Sequence, residues 1–279
     1  QVCKQLKSEN TLPHAEMADW LYDLILRAVD VGYPDPIHIP HVLYSVSEYR
    51  RWRQTQGQPR QWLYDMVVSY WSHSQGGGCV SKGILDGFNQ MSTFTNPKHL
   101  HYHVLGFIAA YWSPYDIVYQ YCLRPLHPLR LLCFTMDSID ASTTTFALID
   151  KSRKLHPENK VLPYIIGVTL LQTGAMCRWL DAKCRGQPSK IFYADPGPAV
   201  TKGAALTSLW LYFGRGQHRD KAVVLLTALW TALDLLDETC GFNIFQHLHK
   251  LLISLLVAVE RHGRLGPQKL PDSSTKEAA

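Results

Sequence analysis

Asp137 and Asp140 are two carboxylates spaced i and i+3 in the stretch Leu126 to Ile149, whose ends are apolar and whose middle is polar. On a helix that spacing puts both on one face. Facing a water-filled path they would favour cations; facing solvent they would mark the helix as something other than a membrane span. A third carboxylate, Asp116, falls in the aromatic-rich run from His103 to Leu123. An ionised side chain within a membrane helix is costly and normally pairs or lines water, so Asp116 is expected to draw cations, to fix a neighbouring helix, or to cap a helix at the headgroups. Among the bases, Lys202 lies just inside an apolar segment, where it could set gating, neutralise an acid or snorkel to the interface. Arg50, Arg51 and Arg53 around Trp52 suit a cytosolic loop beside anionic lipid, or a loop that is merely solvated.

Other chemistries find little support. His99, His101 and His103 alternate, and His247 and His249 repeat the spacing. On a strand such residues could share a face and bind zinc or copper, but on a helix they diverge, and no Cys or acid at ligand spacing completes a site. No GxSxG, HExxH or GxxxxGK[ST] pattern is present. The expectation is a non-enzyme with no cofactor and no metal. The net charge of +5 over 279 residues is mild and spread along the chain, which disfavours a nucleic-acid partner. Seven cysteines form no CxxC pair and read as reduced thiols. A mean hydropathy of -0.12 is low for a membrane protein and keeps a soluble helical protein in play.

The elements that must hold these groups are helical. Val161 to Cys177 is a run of uncharged residues between Lys160 and Arg178. As a helix it would cover about 26 Å, close to the hydrocarbon thickness of a bilayer. Gly167 and Gly174 lie a heptad apart in it and would leave one face bare for a neighbouring backbone. Ala15 to Val29 reads as an amphipathic surface helix, and Tyr33 to Trp52, with Pro34, Pro36 and Pro40, as a poor lipid-exposed span. Met66 to Ser81 should break or kink at Gly76, Gly77 and Gly78. Pro114 should kink His103 to Leu123.

A charged loop is expected from Asp150 to Lys160 and a second loop around residues 195–198, followed by apolar helices Ala199 to Phe213 and Ala222 to Leu236. An amphipathic helix from Phe245 to about Arg261 and a disordered tail after Gly266 complete the chain. The implied organisation is an N-terminal amphipathic segment (1–32), a membrane domain (33–240) of about seven helices, a C-terminal amphipathic helix (241–265) and a tail (266–279). Glycines interrupt the second helix of each group of three, which points to a pathway at a repeat interface. Close helix packing alone would explain them as well.

The order of these features resembles the trimeric intracellular cation channel (TRIC) family. Ser113-Pro114-Tyr115-Asp116 followed by Tyr119 looks like the family's Pro-x-Asp-x-x-Tyr, Pro128-Leu129-Arg130-Leu131 like its Pro-x-basic-Leu, and Thr201-Lys202 matches a basic position at the start of the sixth helix. The resemblance implies an all-α polytopic membrane protein of two inverted three-helix repeats plus a seventh helix. It implies a homotrimer with a pore in each subunit, passing potassium as counter-ion to calcium release, in the endoplasmic or sarcoplasmic reticulum or nuclear membrane. Gly76, Gly77, Gly78, Gly167 and Gly174 would bend the pore helices, Asp116 and Asp137 would attract cations or serve structure, and Lys202 and Arg130 would be gating or interfacial bases. In place of the family's Lys-Glu-Val-x-Arg stands Asp137-Ser138-Ile139-Asp140-Ala141. Acids there would repel an anionic headgroup, so phosphoinositide binding is not carried over, though membrane lipid remains an expected partner. A non-conducting membrane scaffold of the same fold and a soluble α-helical interaction protein are the alternatives.

Overall fold

The computed structural model describes residues 19–27, 35–74, 76–87, 97–186, 197–214 and 216–264, and these are helical or in short turns, with no strand among them. The segments expected to be disordered or loop-like beyond residue 266 and around 195–196 lie outside the described residues. Residues 19–27 form α1, a surface helix that nonetheless buries Leu24 and Ile25 in the core. Seven helical units follow. The first is α2 (Asp35–Thr55). The second is broken: α3 (Trp62–Ser69), a π-helical turn (Tyr70–Ser74), then α4 (Gly76–Asp86). The third is also broken, with α5 (Pro97–Trp112), a 3-10 turn (Pro114–Asp116) and α6 (Ile117–Leu123). The remaining units are α7 (Pro128–Leu155), α8 (Leu162–Cys184), α9 (Gly197–Phe213) and α10 (Arg219–Cys240). A last helix, α11 (Ile244–Arg264), leaves α10 at 96°.

Local chemistry sets several of these boundaries. Pro128 opens α7 at a position where its missing N–H would have no partner anyway, and His127 Nδ1 accepts from the Leu129 N–H at 3.2 Å. Gly241 closes α10 in the left-handed conformation (φ +67°), donating its N–H to Asp237 O. Two sequence-based boundaries need correction. The break in the second unit falls at residues 70–74, ahead of the three glycines, which open α4. The expected loop from Asp150 is helical as far as Leu155, because Asp150 and Lys151 have partners: Asp150 accepts from Trp210 Nε1 (2.9 Å) and Arg219 Nε (3.2 Å), and Lys151 pairs with Asp86.

α7 is the central element, packed on α2, α8 and α10, while α8 also packs on α4 and α9. The main core joins Met136, Ile139, Phe146 and Ile149 of α7 to Leu206 and Trp210 of α9 and to Val223, Leu226 and Trp230 of α10. Phe146 stacks on Trp210 with ring centroids 4.5 Å apart.

Elsewhere the usual distribution is reversed. The buried face of α2 carries His38, His41, Ser45, Arg50 and Arg53, whereas large apolar side chains stand outward: Leu63 and Val67 on α3, Leu105, Ile108 and Trp112 on α5, Leu225 and Leu229 on α10. Among the described residues no single helix is long and apolar enough to cross a membrane.

Candidate functional site

The break in the second unit faces α8 across a separation too small for side chains. A Cβ built on Gly77 would lie 2.3 Å from Leu170 O, one on Gly76 1.8 Å from Trp71 O, and one on Gly174 2.5 Å from Ser72 O. Only hydrogen fits at these three positions, so glycine brings the π turn and the start of α4 against the α8 backbone. Gly167 does the same job one layer away: its Cβ would meet Thr207 Oγ1 of α9 at 2.2 Å.

Where the broken unit, α2, α7 and α8 meet, a cavity of about 260 Å³ remains. Gly76, Gly77, Gly78 and Gly174 line it together with Asp137 and Asp140, and Gly167 lies outside it. His41 and Arg178, which sequence reasoning did not single out, line it too, with Ser72 and Thr144. His41 Nδ1 is 2.6 Å from Asp137 Oδ1, and its Nε2 is 3.9 Å from Asp140 Oδ2. Ser45 Oγ donates to Asp137 Oδ1 at 3.5 Å. The Asp140 side chain is buried and that of Asp137 partly so. The i, i+3 spacing therefore puts both acids on one α7 face directed at this partly open cavity. The cavity carries opposite charges as well: the Arg178 guanidinium passes beside Gly174, 3.6 Å from where that residue's Cβ would be.

The other candidate residues sit apart from the cavity, in ion pairs near one end of the bundle. Asp116 grips Arg50 with both oxygens, at 3.1 Å to Nη1 and 2.8 Å to Nη2. The Arg50 guanidinium lies 3.9 Å over the Tyr119 ring and donates to Ala110 O at 2.5 Å. The family-like motif thus has a concrete purpose in this chain. Tyr115 and Asp116 take left-handed backbone angles (φ 54° and 56°), ending one helix and starting the next, and the turn so made supplies the acid and the ring that enclose Arg50.

Arg130 is held by Glu238 (2.5 Å), Glu48 (3.2 Å) and Cys122 O (2.8 Å). Lys202 pairs with Asp234 at 2.5 Å, which also accepts from Ser138 Oγ at 2.7 Å, and lies 4.0 Å from the Trp230 ring centre. Of the three roles open to it in sequence, neutralising an acid is the one its geometry displays.

Arg50 and Arg53 overturn the loop expectation for the Arg50-Arg51-Trp52-Arg53 cluster. Both are buried on α2, and Arg53 Nε is 3.0 Å from Asp65 Oδ1, a second buried side chain. Arg185 is 4.0 Å from the same oxygen of Asp65 and 2.7 Å from Asp181, which also accepts from Tyr64 Oη at 2.6 Å. Only Arg51 of the cluster stands exposed. Arginines three apart share a helix face, which was the available signal; their counter-charges could not be read from spacing. The alternating histidines fall on helix α5, where His103 Nε2 lies 3.1 Å from Ser69 Oγ and 3.0 Å from Met66 O. Among the described residues no group of three or more His, Cys, Asp or Glu side chains could hold a metal ion.

No family model matches the sequence, and no curated protein matches it. Solved structures do. A trimeric intracellular cation channel from C. elegans with bound Ca2+ superposes with a TM-score of 0.57 at 13% identity, covering 78% of this chain and 98% of that one. The channel from the same organism in the absence of Ca2+ gives 0.54 at 14% identity, covering 81% and 98%. An all-α chain of seven helical units, broken in the second and third and packed around the fourth, this protein has the fold of the trimeric intracellular cation channels.

Proposed function

We propose that the chain is the subunit of a homotrimeric cation channel in an intracellular membrane, each subunit conducting through its own cavity between the π-helical break and α8. Potassium is the permeant ion, and the current balances charge as calcium leaves the endoplasmic or sarcoplasmic reticulum. The observation that carries this reading is a set of buried charged groups inside a bundle with apolar outward stripes, among them a cavity that presents two carboxylates. Ionisable groups inside a membrane bundle face inward and pair or line water, and rings or clusters of acids favour cations over anions in a narrow path. Outward stripes of Leu, Ile, Val and Trp suit lipid or neighbouring subunits. Gly76, Gly77 and Gly174 permit the close crossing that surrounds the path and Gly78 lines it, Asp137 and Asp140 supply its negative potential, and Arg50–Asp116, Arg130–Glu238 and Lys202–Asp234 hold the helices around it.

Purified protein in a planar bilayer under a potassium chloride gradient tests this. A reversal potential near that of potassium is expected; absence of single-channel current from trimeric protein would overturn it. A second reading, a membrane scaffold of the same fold that does not conduct, is favoured by Arg178, whose positive charge shares the cavity with the two acids. Arg178→Gln separates the two: it raises cation current in a channel and creates none in a scaffold.

A further inference from the structure

The sequence after α10 departs from the bundle. α11 is 21 residues long and turns 96° away from α10 across Gly241, Phe242 and Asn243. Leu248, Leu251, Leu252, Leu255, Leu256 and Val259 fall on one arc of this helix, and all are between 38% and 70% exposed. The helix touches the bundle along one margin of this arc: His249 Nδ1 is 3.1 Å from Thr201 Oγ1 of α9, and Lys202 Nζ is 5.9 Å from the Phe245 ring centre. The rest of the surface carries Gln246, His247, Lys250 and Ser254 together with the exposed Ile253 and Val257, and towards the C-terminal end the sequence adds Glu260, Arg261 and Arg264.

We propose that α11 lies in the plane of the membrane surface, its leucine arc sunk among acyl chains and Lys250 at the level of anionic lipid headgroups. The inference rests on the reading of α10 as a membrane-crossing helix. With 22 residues α10 extends about 33 Å, which in length alone matches a hydrocarbon core of about 30 Å. A helix set at right angles to a crossing helix runs parallel to the bilayer. A leucine-rich arc on a helix whose other side carries polar residues and Lys250 is the pattern of helices that lie in the headgroup–acyl boundary. Three bases, Lys250, Arg261 and Arg264, against the single acid Glu260 match a negative leaflet surface. Other geometry agrees. Arg130 ties the start of α7 to Glu238 near the end of α10 and to Glu48 near the end of α2, which places the α2–α3 turn and α11 at the same end of the bundle. At the start of α3 Trp62 pairs with Trp112, ring centroids 5.9 Å apart and both exposed, a position that interfacial tryptophans favour.

The test uses the full chain with Cys184→Ser and Cys240→Ser removing exposed thiols, reconstituted in vesicles of phosphatidylcholine and phosphatidylserine. An environment-sensitive fluorophore is attached in turn through Leu255→Cys, Lys250→Cys and Leu225→Cys. Quenching at Leu255→Cys by a nitroxide near the top of the acyl chain should exceed that at Lys250→Cys by roughly twofold, with aqueous iodide giving the reverse order. If the Leu255→Cys label is quenched by iodide and not by lipid nitroxide, while Leu225→Cys on α10 is quenched by a nitroxide deep in the chain, α11 is solvated and the inference falls alone. Protection from both quenchers, with cross-linking between subunits at Leu255→Cys, assigns the arc to a second copy of the chain and also overturns it. Iodide quenching at Leu225→Cys removes the crossing-helix reading and the inference together.

Discussion

The buried ion pairs of this bundle differ in how much water can rescue them. Asp65 and Arg53 are both almost fully buried, whereas Asp116, the partner of Arg50, has a side chain 35% exposed. Removing one member of a buried pair leaves the other uncompensated at a cost of about 3–5 kcal/mol. Asp65→Asn should therefore lower thermal stability in detergent more than Asp116→Asn does. Arg60→Gln, which removes an exposed arginine 3.7 Å from Asp116, should change it by less than about 1 kcal/mol. Equal shifts across the three variants would show that burial does not set these energies. At the cavity, Asp140→Asn and Asp137→Asn should each reduce potassium-over-chloride selectivity, read as a reversal potential moved towards zero. Asp116→Asn should leave selectivity in place, since Asp116 is engaged with Arg50 outside the cavity.

The broken second unit depends on what glycine omits. Gly77 has Leu170 O where its Cβ would go, but Gly87, at the end of the same unit, has open space around it and a φ of +81°. Gly77→Ala should push α4 away from α8, disturbing the cavity and destabilising the fold severely; Gly87→Ala should bring only the local strain of a left-handed alanine, about 1 kcal/mol. Thermal unfolding of the two variants measures the difference, and similar midpoints would refute a close-approach role for Gly77. This element was half legible in sequence. Three consecutive glycines announced a discontinuity, yet the irregular turn forms at Tyr70–Ser74, where Ser72 O and Trp71 O occupy the space that the glycines leave. A kink's position follows from which backbone comes near, and that backbone is about a hundred residues away in the chain for Gly77 and Leu170.

Taken whole, the molecule adds buried ion pairs to its apolar core and leaves apolar stripes on its outside, which reconciles a mean hydropathy of -0.12 with a channel-type fold. If the outward stripes on α3, α5 and α10 meet lipid or sister subunits, the expressed protein should remain in the pellet after carbonate extraction and cross-link as a trimer in membranes. Release into the supernatant would instead place these stripes against some other partner and remove the membrane reading.

The sequence by itself determined helix content, the seven-unit order and the two acids that share a face of α7, because each of these depends on spacing along a few turns. The Pro114–Asp116 turn was marked in the same way, by residues adjacent in the chain. Tertiary structure decided which side of each helix is the inside. Arg50, Arg53, Glu48 and His41 read locally as residues for water, and they are drawn into the bundle by Asp116, Asp65, Arg130 and Asp137, partners supplied by other helices. Charge pairing at a distance of a few ångströms leaves no periodic trace in a linear chain, since the partners' separation in sequence is set by the fold.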